Sequence, residues 1–309
     1  AYAMLAELPP QTGLYAAIVA AIVGALWGSS NHLQTGPTNA LSLLLLSTLI
    51  TVAVPGSADY VVIAAVMAIL VGAIQLTLGL LRLGVLVNFV SHSVIVGFAA
   101  GAGVLIALKQ LRYLLGLEFS SHGLAETLQG VVVHLPETHL PTLALGLGTM
   151  LLIVLLKQIN PKLPGALIAM VLSAAAVAIL GLDEEGVAVI GELPRTLPPV
   201  TDFSLVNMQT IAGLAPGALA IAAIGLVEAM SIARTISGQS HQRLDSNQEF
   251  AGQGLANIAT GIFSGYPGSG SFTRSAVNFD AGARTRLASV FSGLFVLVAL
   301  LALAPFAAY

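Results

Sequence analysis

Cysteine is absent from the 309 residues, which excludes a disulfide framework and any thiolate-ligated metal centre. Charge is scarce as well. Lys and Arg number 11 and Asp and Glu 14, together 8% of the chain, against roughly a quarter in an average soluble domain. With a net charge of −3 and no basic stretch, nothing here could neutralise a nucleic-acid backbone, so no nucleic-acid partner is expected. The opening Ala1-Tyr-Ala-Met-Leu-Ala-Glu7 has neither a charged n-region nor a cleavage site. It reads as the inside of a helix, and no targeting peptide is expected.

Apolar residues make up 57% of the chain. They gather in about ten stretches, several of which reach the roughly 20 residues that a helix needs to cross a bilayer. Turn residues and charge clusters delimit a helix remnant at 1–6 and apolar segments at 14–28, 39–54, 59–81, 85–115, 140–157, 164–180, 212–235, 250–264, 272–280 and 286–308. The expected fold class is therefore an all-α polytopic membrane protein with the lipid bilayer as its solvent. Gly97 with Gly101, and Gly261 with Gly265, are spaced for close helix approach. Cations collect at Arg82, at Lys157 and Lys162, at Arg234 and Arg243, and at Arg284 and Arg286. Those loops are expected on the cytoplasmic side. The polar stretch 181–211, with Asp183, Glu184, Glu185, Glu192 and Asp202 against Arg195, reads as an acidic extramembrane link.

Two Gly-rich polar breaks interrupt the apolar pattern: Gln34-Thr-Gly-Pro-Thr-Asn-Ala-Leu-Ser42, and Gly265 through Asn278. A helix that starts inside a membrane leaves its first N–H groups unpaired and presents about half a positive charge, which suits an anion. Thr38 with Asn39, and Thr273 with Arg274, stand where two such starts would lie. Arg274 would add a full charge, making an anion cradle of the kind found in broken-helix transporters. Glu228, within an otherwise apolar span, reads either as a proton carrier or as a structural partner of Arg274.

Other constellations lead less far. Gly268-Ser-Gly-Ser271 lacks the lysine and the preceding strand of a phosphate loop. Ser269 or Ser271 has no base such as His92 or His241 selected by spacing, so no enzyme is expected. His134-Leu-Pro-Glu-Thr-His139 fits no metal-ligand spacing and reads as a solvated loop. His92 reads as an interfacial histidine. No cofactor or metal is expected.

Pro10-Gln-Thr-Gly-Leu-Tyr-Ala-Ala17, followed by Gly28-Ser-Ser30, resembles the signature of the sulfate permease (SulP) anion transporters. Ala1-Tyr-Ala-Met-Leu-Ala, Thr35-Gly-Pro-Thr38, Asn88-Phe-Val-Ser, and Gly270-Ser-Phe-Thr-Arg-Ser275 with Asn278 resemble the family in order. The family pattern differs at Thr12, Gly24 and Asn31. The resemblance implies inverted seven-helix repeats forming core and gate domains, with the last three segments and a STAS domain beyond this chain. It places first-repeat core at 1–84, first-repeat gate at 85–180, the link at 181–211 and second-repeat core at 212–309. It also implies substrate contacts from Tyr2, Thr38, Asn39, Thr273 and Arg274, with Glu228 where a coupling group sits. The implied function is secondary transport of a small anion, such as sulfate, bicarbonate or a dicarboxylate like fumarate, with the proton as coupling ion. A bacterial inner-membrane location and a homodimeric full-length form go with it. A channel-like anion conductor or exchanger of the same fold is the alternative.

Overall fold

The computed structural model describes residues 2–85, 92–117, 119, 124–160, 163–189, 191, 194–204 and 207–303. The Asn88-Phe-Val-Ser motif, Lys162 and Glu192 lie outside the described residues. The chain divides into two compact units, 1–99 with 194–303, and 100–193 with 304–309. The division falls inside one helix.

The first unit holds helices α1 (Tyr2–Leu5), α2 (Pro10–Trp27), α3 (Asn39–Leu49) and α4 (Ala58–Leu80), then the start of α5 (His92–Leu114). Each boundary has a local cause. Pro10 opens α2, where its missing N–H costs nothing. Thr38 caps α3 by accepting the Leu41 N–H, and Ser57 caps α4 by accepting that of Tyr60.

The second unit contains the rest of α5, then α6 (Leu124–His134), α7 (Leu140–Ile159) and α8 (Gly165–Leu180). The left-handed Gly181 stops α8. The stretch expected as a solvated loop around His134 and His139 is instead the end of α6 and a 3-10 turn, Leu135–Glu137. His134 stacks on Phe119, and His139 Nε2 lies 3.0 Å from Glu185 O. Among the described residues no group of His, Asp and Glu could hold a metal.

The first unit resumes with α9 (Met208–Ser240), α10 (Ser246–Ile262), α11 (Phe272–Asp280) and α12 (Leu287–Leu303). Asn207 caps α9 and Asp245 caps α10, each by accepting backbone N–H groups of the first turn. In the polar stretch before α9, the Ser204 N–H bonded to Asp202 holds that carboxyl below the usual carboxylate range.

Pro10–Trp27, Asp59–Leu80, Leu140–Ile159 and Met208–Ser240 are long and apolar enough to cross a membrane. The core of the first unit joins Leu41, Leu45 and Leu49 of α3 to Tyr60 and Met67 of α4 and Leu214 and Ile221 of α9, with Tyr266 among them. The Tyr60 hydroxyl donates to Ala6 O at 2.9 Å, so its polar end is satisfied inside the core.

Helices α4 and α10 meet backbone to backbone. A Cβ on Gly72 would stand 2.5 Å from Gly254 O, and one on Gly254 would stand 2.4 Å from Leu76 N. Only glycine permits that approach. Gly261 packs the same way: a Cβ on it would stand 2.4 Å from Ala65 O. Gly97 and Gly101, expected to serve similarly, have nothing within 4 Å among the described residues.

Candidate anion site

The two polar breaks meet. Thr35–Gly36 forms strand β1, Ser269–Gly270 forms β2, and they pair antiparallel, Thr35 with Gly270 and Gly36 with Ser269. Unwound backbone within an apolar bundle needs partners for its N–H and C=O groups, and here each break supplies the other's. Thr38 then opens α3 and Ser271 opens α11, the Ser271 Oγ accepting the Arg274 N–H at 3.5 Å. Two helix N-termini therefore leave one small sheet.

Further bonds lock the second break. Ser271 N–H donates to Gln34 O, and Gln34 N–H donates to the buried Ser275 Oγ, both at 2.9 Å. Ser269 Oγ donates to Gly225 O of α9 at 2.6 Å.

Arg274 is half-buried and donates through Nη2 to Pro37 O at 2.9 Å, and its guanidinium carbon lies 5.9 Å from the centre of the Tyr2 ring. An arginine at the centre of a membrane helix costs about 2.5–3.5 kcal/mol on insertion scales. One charge-assisted hydrogen bond returns about 1.5–3 kcal/mol, and a ring at this range adds about 0.5–1 kcal/mol. Cost and compensation nearly cancel. The guanidinium can thus stand in place with the rest of its five N–H donors uncommitted to protein acceptors among the described residues.

Thr38 Oγ1 donates to Glu228 Oε2 at 3.1 Å, so α9 is tied to the start of α3. The structure thereby joins Tyr2 to Arg274 and Thr38 to Glu228, with Pro37 between the two pairs. Asn39 and Thr273, in the first turns of α3 and α11, are exposed, and neither is hydrogen-bonded to Glu228 or Arg274. A cavity of about 440 Å³ opens beside α11, lined by Gln34, Thr273, Arg274, Asn278 and Ser292 among others. Tyr266 and Ser42 are completely buried, and their hydroxyls interact with each other.

Sequence reasoning missed three residues. Glu249, Gln253 and Asn257 of α10 are buried, with 2%, 1% and 0% exposure. The signal was present: polar side chains at i, i+4 and i+8 share one helix face.

Two half-helices starting from paired, unwound segments, with an arginine beside them, form the arrangement that broken membrane helices make. The sulfate permease family model matches residues 1–309, and the chain belongs to that family, a family of transporters and not an enzyme class.

Among its relatives are the chloroplastic sulfate transporter 4.1 of Arabidopsis thaliana, 32% identical over all of this chain and 46% of the relative. A probable sulfate transporter of Mycobacterium tuberculosis is 33% identical over all of this chain and 56% of its own length. The chain thus spans about half the length of these relatives. The transmembrane domain of a cyanobacterium bicarbonate transporter, BicA, superposes with a TM-score of 0.90 at 23% identity, over 99% of this chain and 79% of the other. Murine Solute Carrier 26 family member A9, an anion transporter in the inward-facing state, gives 0.90 at 22%, over 99% and 54%. These two establish the fold.

Proposed function

We propose that the protein carries a small anion across its membrane by alternating access, with a proton moving alongside. One observation carries the reading: two helix N-termini and the Arg274 guanidinium issue from a single pair of unwound strands. Partial positive charge from both starts adds to a full one, where little water screens it. Such a place favours an anion and disfavours a cation.

Sulfate is the first candidate, since curated relatives carry that name. Bicarbonate and dicarboxylates such as fumarate remain the competitors to test. Tyr2, Thr38, Asn39, Thr273 and Arg274 serve the anion, and Glu228 serves the proton. A single carboxylate in an otherwise apolar span suits a proton better than it suits holding a sodium ion alone. Segments 1–84 and 212–309 act as the core that holds the anion, 85–180 as gate and 181–211 as the link. A bacterial cytoplasmic membrane and a homodimer complete the proposal.

The decisive experiment is uptake by the full-length protein in proteoliposomes, using labelled sulfate, bicarbonate and fumarate with and without an inward proton gradient. Saturable uptake that the gradient raises supports the proposal. Non-saturating current without accumulation would replace it with a channel.

A further inference from the structure

Helix α10 carries no residue of the proposed anion site, yet its buried polar face grips both breaks that lead to that site. The Glu249 carboxylate accepts the backbone N–H groups of Ser29 and Ser30 at 2.7 and 3.0 Å. Its other oxygen accepts Gln253 Nε2 at 3.0 Å, and the same Nε2 donates to Thr35 Oγ1 of β1 at 2.8 Å. Asn257 then brackets the peptide before β2. Its Oδ1 accepts the Gly268 N–H at 2.8 Å, while Nδ2 donates to Gly268 O at 3.0 Å and to Gln75 Oε1 at 2.8 Å.

These three residues follow one another by four, so they climb α10 in steps of about 6 Å. Each step holds a different piece of chain: the turn after α2, then the first break, then the second. The two upper grips fall at matching places. Thr35 lies three residues before the cap of α3 at Thr38, and Gly268 lies three before the cap of α11 at Ser271.

The lower grip is braced from the other side. Arg286 Nη1 donates to Gly28 O at 2.6 Å, and Gln248 Nε2 donates to the same oxygen at 3.1 Å. A side chain at Gly28 would meet Gly24 O at 2.5 Å and the Glu249 carboxylate at 3.2 Å. Gln253 spends its amide on two acceptors at once, and its own Oε1 is buried without a partner among the described residues. That orphan oxygen is a cost which the double grip must outweigh.

We infer that Gln253 and Asn257, anchored by Glu249, act as a ruler that fixes the gap between the starts of α3 and α11 and so selects the size of the transported anion. The inference rests on the reading of these two starts as the anion's place. None of the three touches the anion, so they are positioning residues.

The test uses the full-length protein with spin labels on Ser47→Cys in α3 and Asp280→Cys in α11, both exposed positions in a stretch of chain that has no native cysteine. Gln253→Leu and Thr35→Val should each broaden or shift the label-to-label distance. They should also change the ratio of KM for sulfate to KM for fumarate by about ten-fold, as misplacement of positioned groups does. Thr35→Ser keeps the hydroxyl and should match wild type in both readouts. An unchanged distance, or an equal loss for both anions, in variants that insert normally would overturn the inference. If wild type moves none of the anions, the transport reading falls, and the distance measurement still decides whether the ruler exists.

Discussion

Thr38 gives its single hydroxyl proton to Glu228, at 3.1 Å, and accepts the Leu41 N–H at 3.4 Å. The one proton it can donate is therefore committed, and a carboxylate receives what an anion would otherwise take. When Glu228 is protonated, its own O–H can turn toward Thr38, and the threonine proton becomes free for an anion. On the reading that Glu228 carries the coupling proton, Thr38 would tie its arrival to that of the anion.

Replacing Thr38 tests this exchange. Thr38→Ser should behave as wild type, because both roles need only the hydroxyl. Thr38→Val should lower stability by about 1 kcal/mol through loss of the cap and should flatten the dependence of sulfate binding on pH. Thermal unfolding and binding measured across pH check the two effects. Sulfate binding in Thr38→Val with the pH profile of wild type would refute the exchange.

Glu228→Gln retains the shape and an acceptor but cannot release a proton. Equilibrium binding of the anion should persist, whereas accumulation driven by an inward proton gradient should disappear. Counterflow at symmetrical pH, which needs no net proton movement, should survive. If the variant accumulates anion as wild type does, coupling lies elsewhere.

Arg274→Gln removes a full charge from a place that also receives two helix starts. Affinity for every anion should fall by about ten-fold or more, and more for divalent than for monovalent ones, since Coulomb energy scales with ligand charge. Isothermal titration with sulfate and bicarbonate on folded protein reads this. Equal affinities in variant and wild type would make Arg274 a structural residue bonded to Pro37 O.

Gly254→Ala should destabilise the protein by about 1–3 kcal/mol, because the added carbon meets the backbone of α4 and neither helix can yield cheaply. Gly97→Ala, whose added carbon meets nothing within 4 Å among the described residues, should not lower stability. Melting temperatures of the two variants side by side provide the measurement.

The two breaks of the candidate site were legible because Gly, Pro, Ser and Thr stand out sharply against an apolar background. The breaks at Thr35–Thr38 and Gly268–Ser271 sit where composition put them, and both are followed by capped helices. Helix α9 runs from Met208 to Ser240 instead of 212–235. Asn207 caps it earlier, and it continues through Ser237, Gly238 and Gln239, where an apolar window had closed. Helix α6 escaped because its 11 residues contain no long apolar run.

The ruler on α10 escaped for a related reason. An apolar segment drawn from Phe250 begins one residue after Glu249, and hydropathy treats a buried carboxylate as an end of the membrane. What holds Glu249 inside is a set of backbone N–H donors from the turn after α2, far away in sequence. Periodicity along one helix cannot announce partners supplied by another.

The pairing of the two breaks also bears on how the chain is made. Pro37 and Arg274 are 237 positions apart, so the first break leaves the ribosome long before its partner exists. Until the second arrives, Thr35 and Gly36 must keep their backbone groups in water or on a chaperone, since lipid offers them nothing. The two breaks can thus pair only after Gly270 has emerged, and a ribosome halted before Ser269 should leave α3 accessible to aqueous modification from the membrane surface.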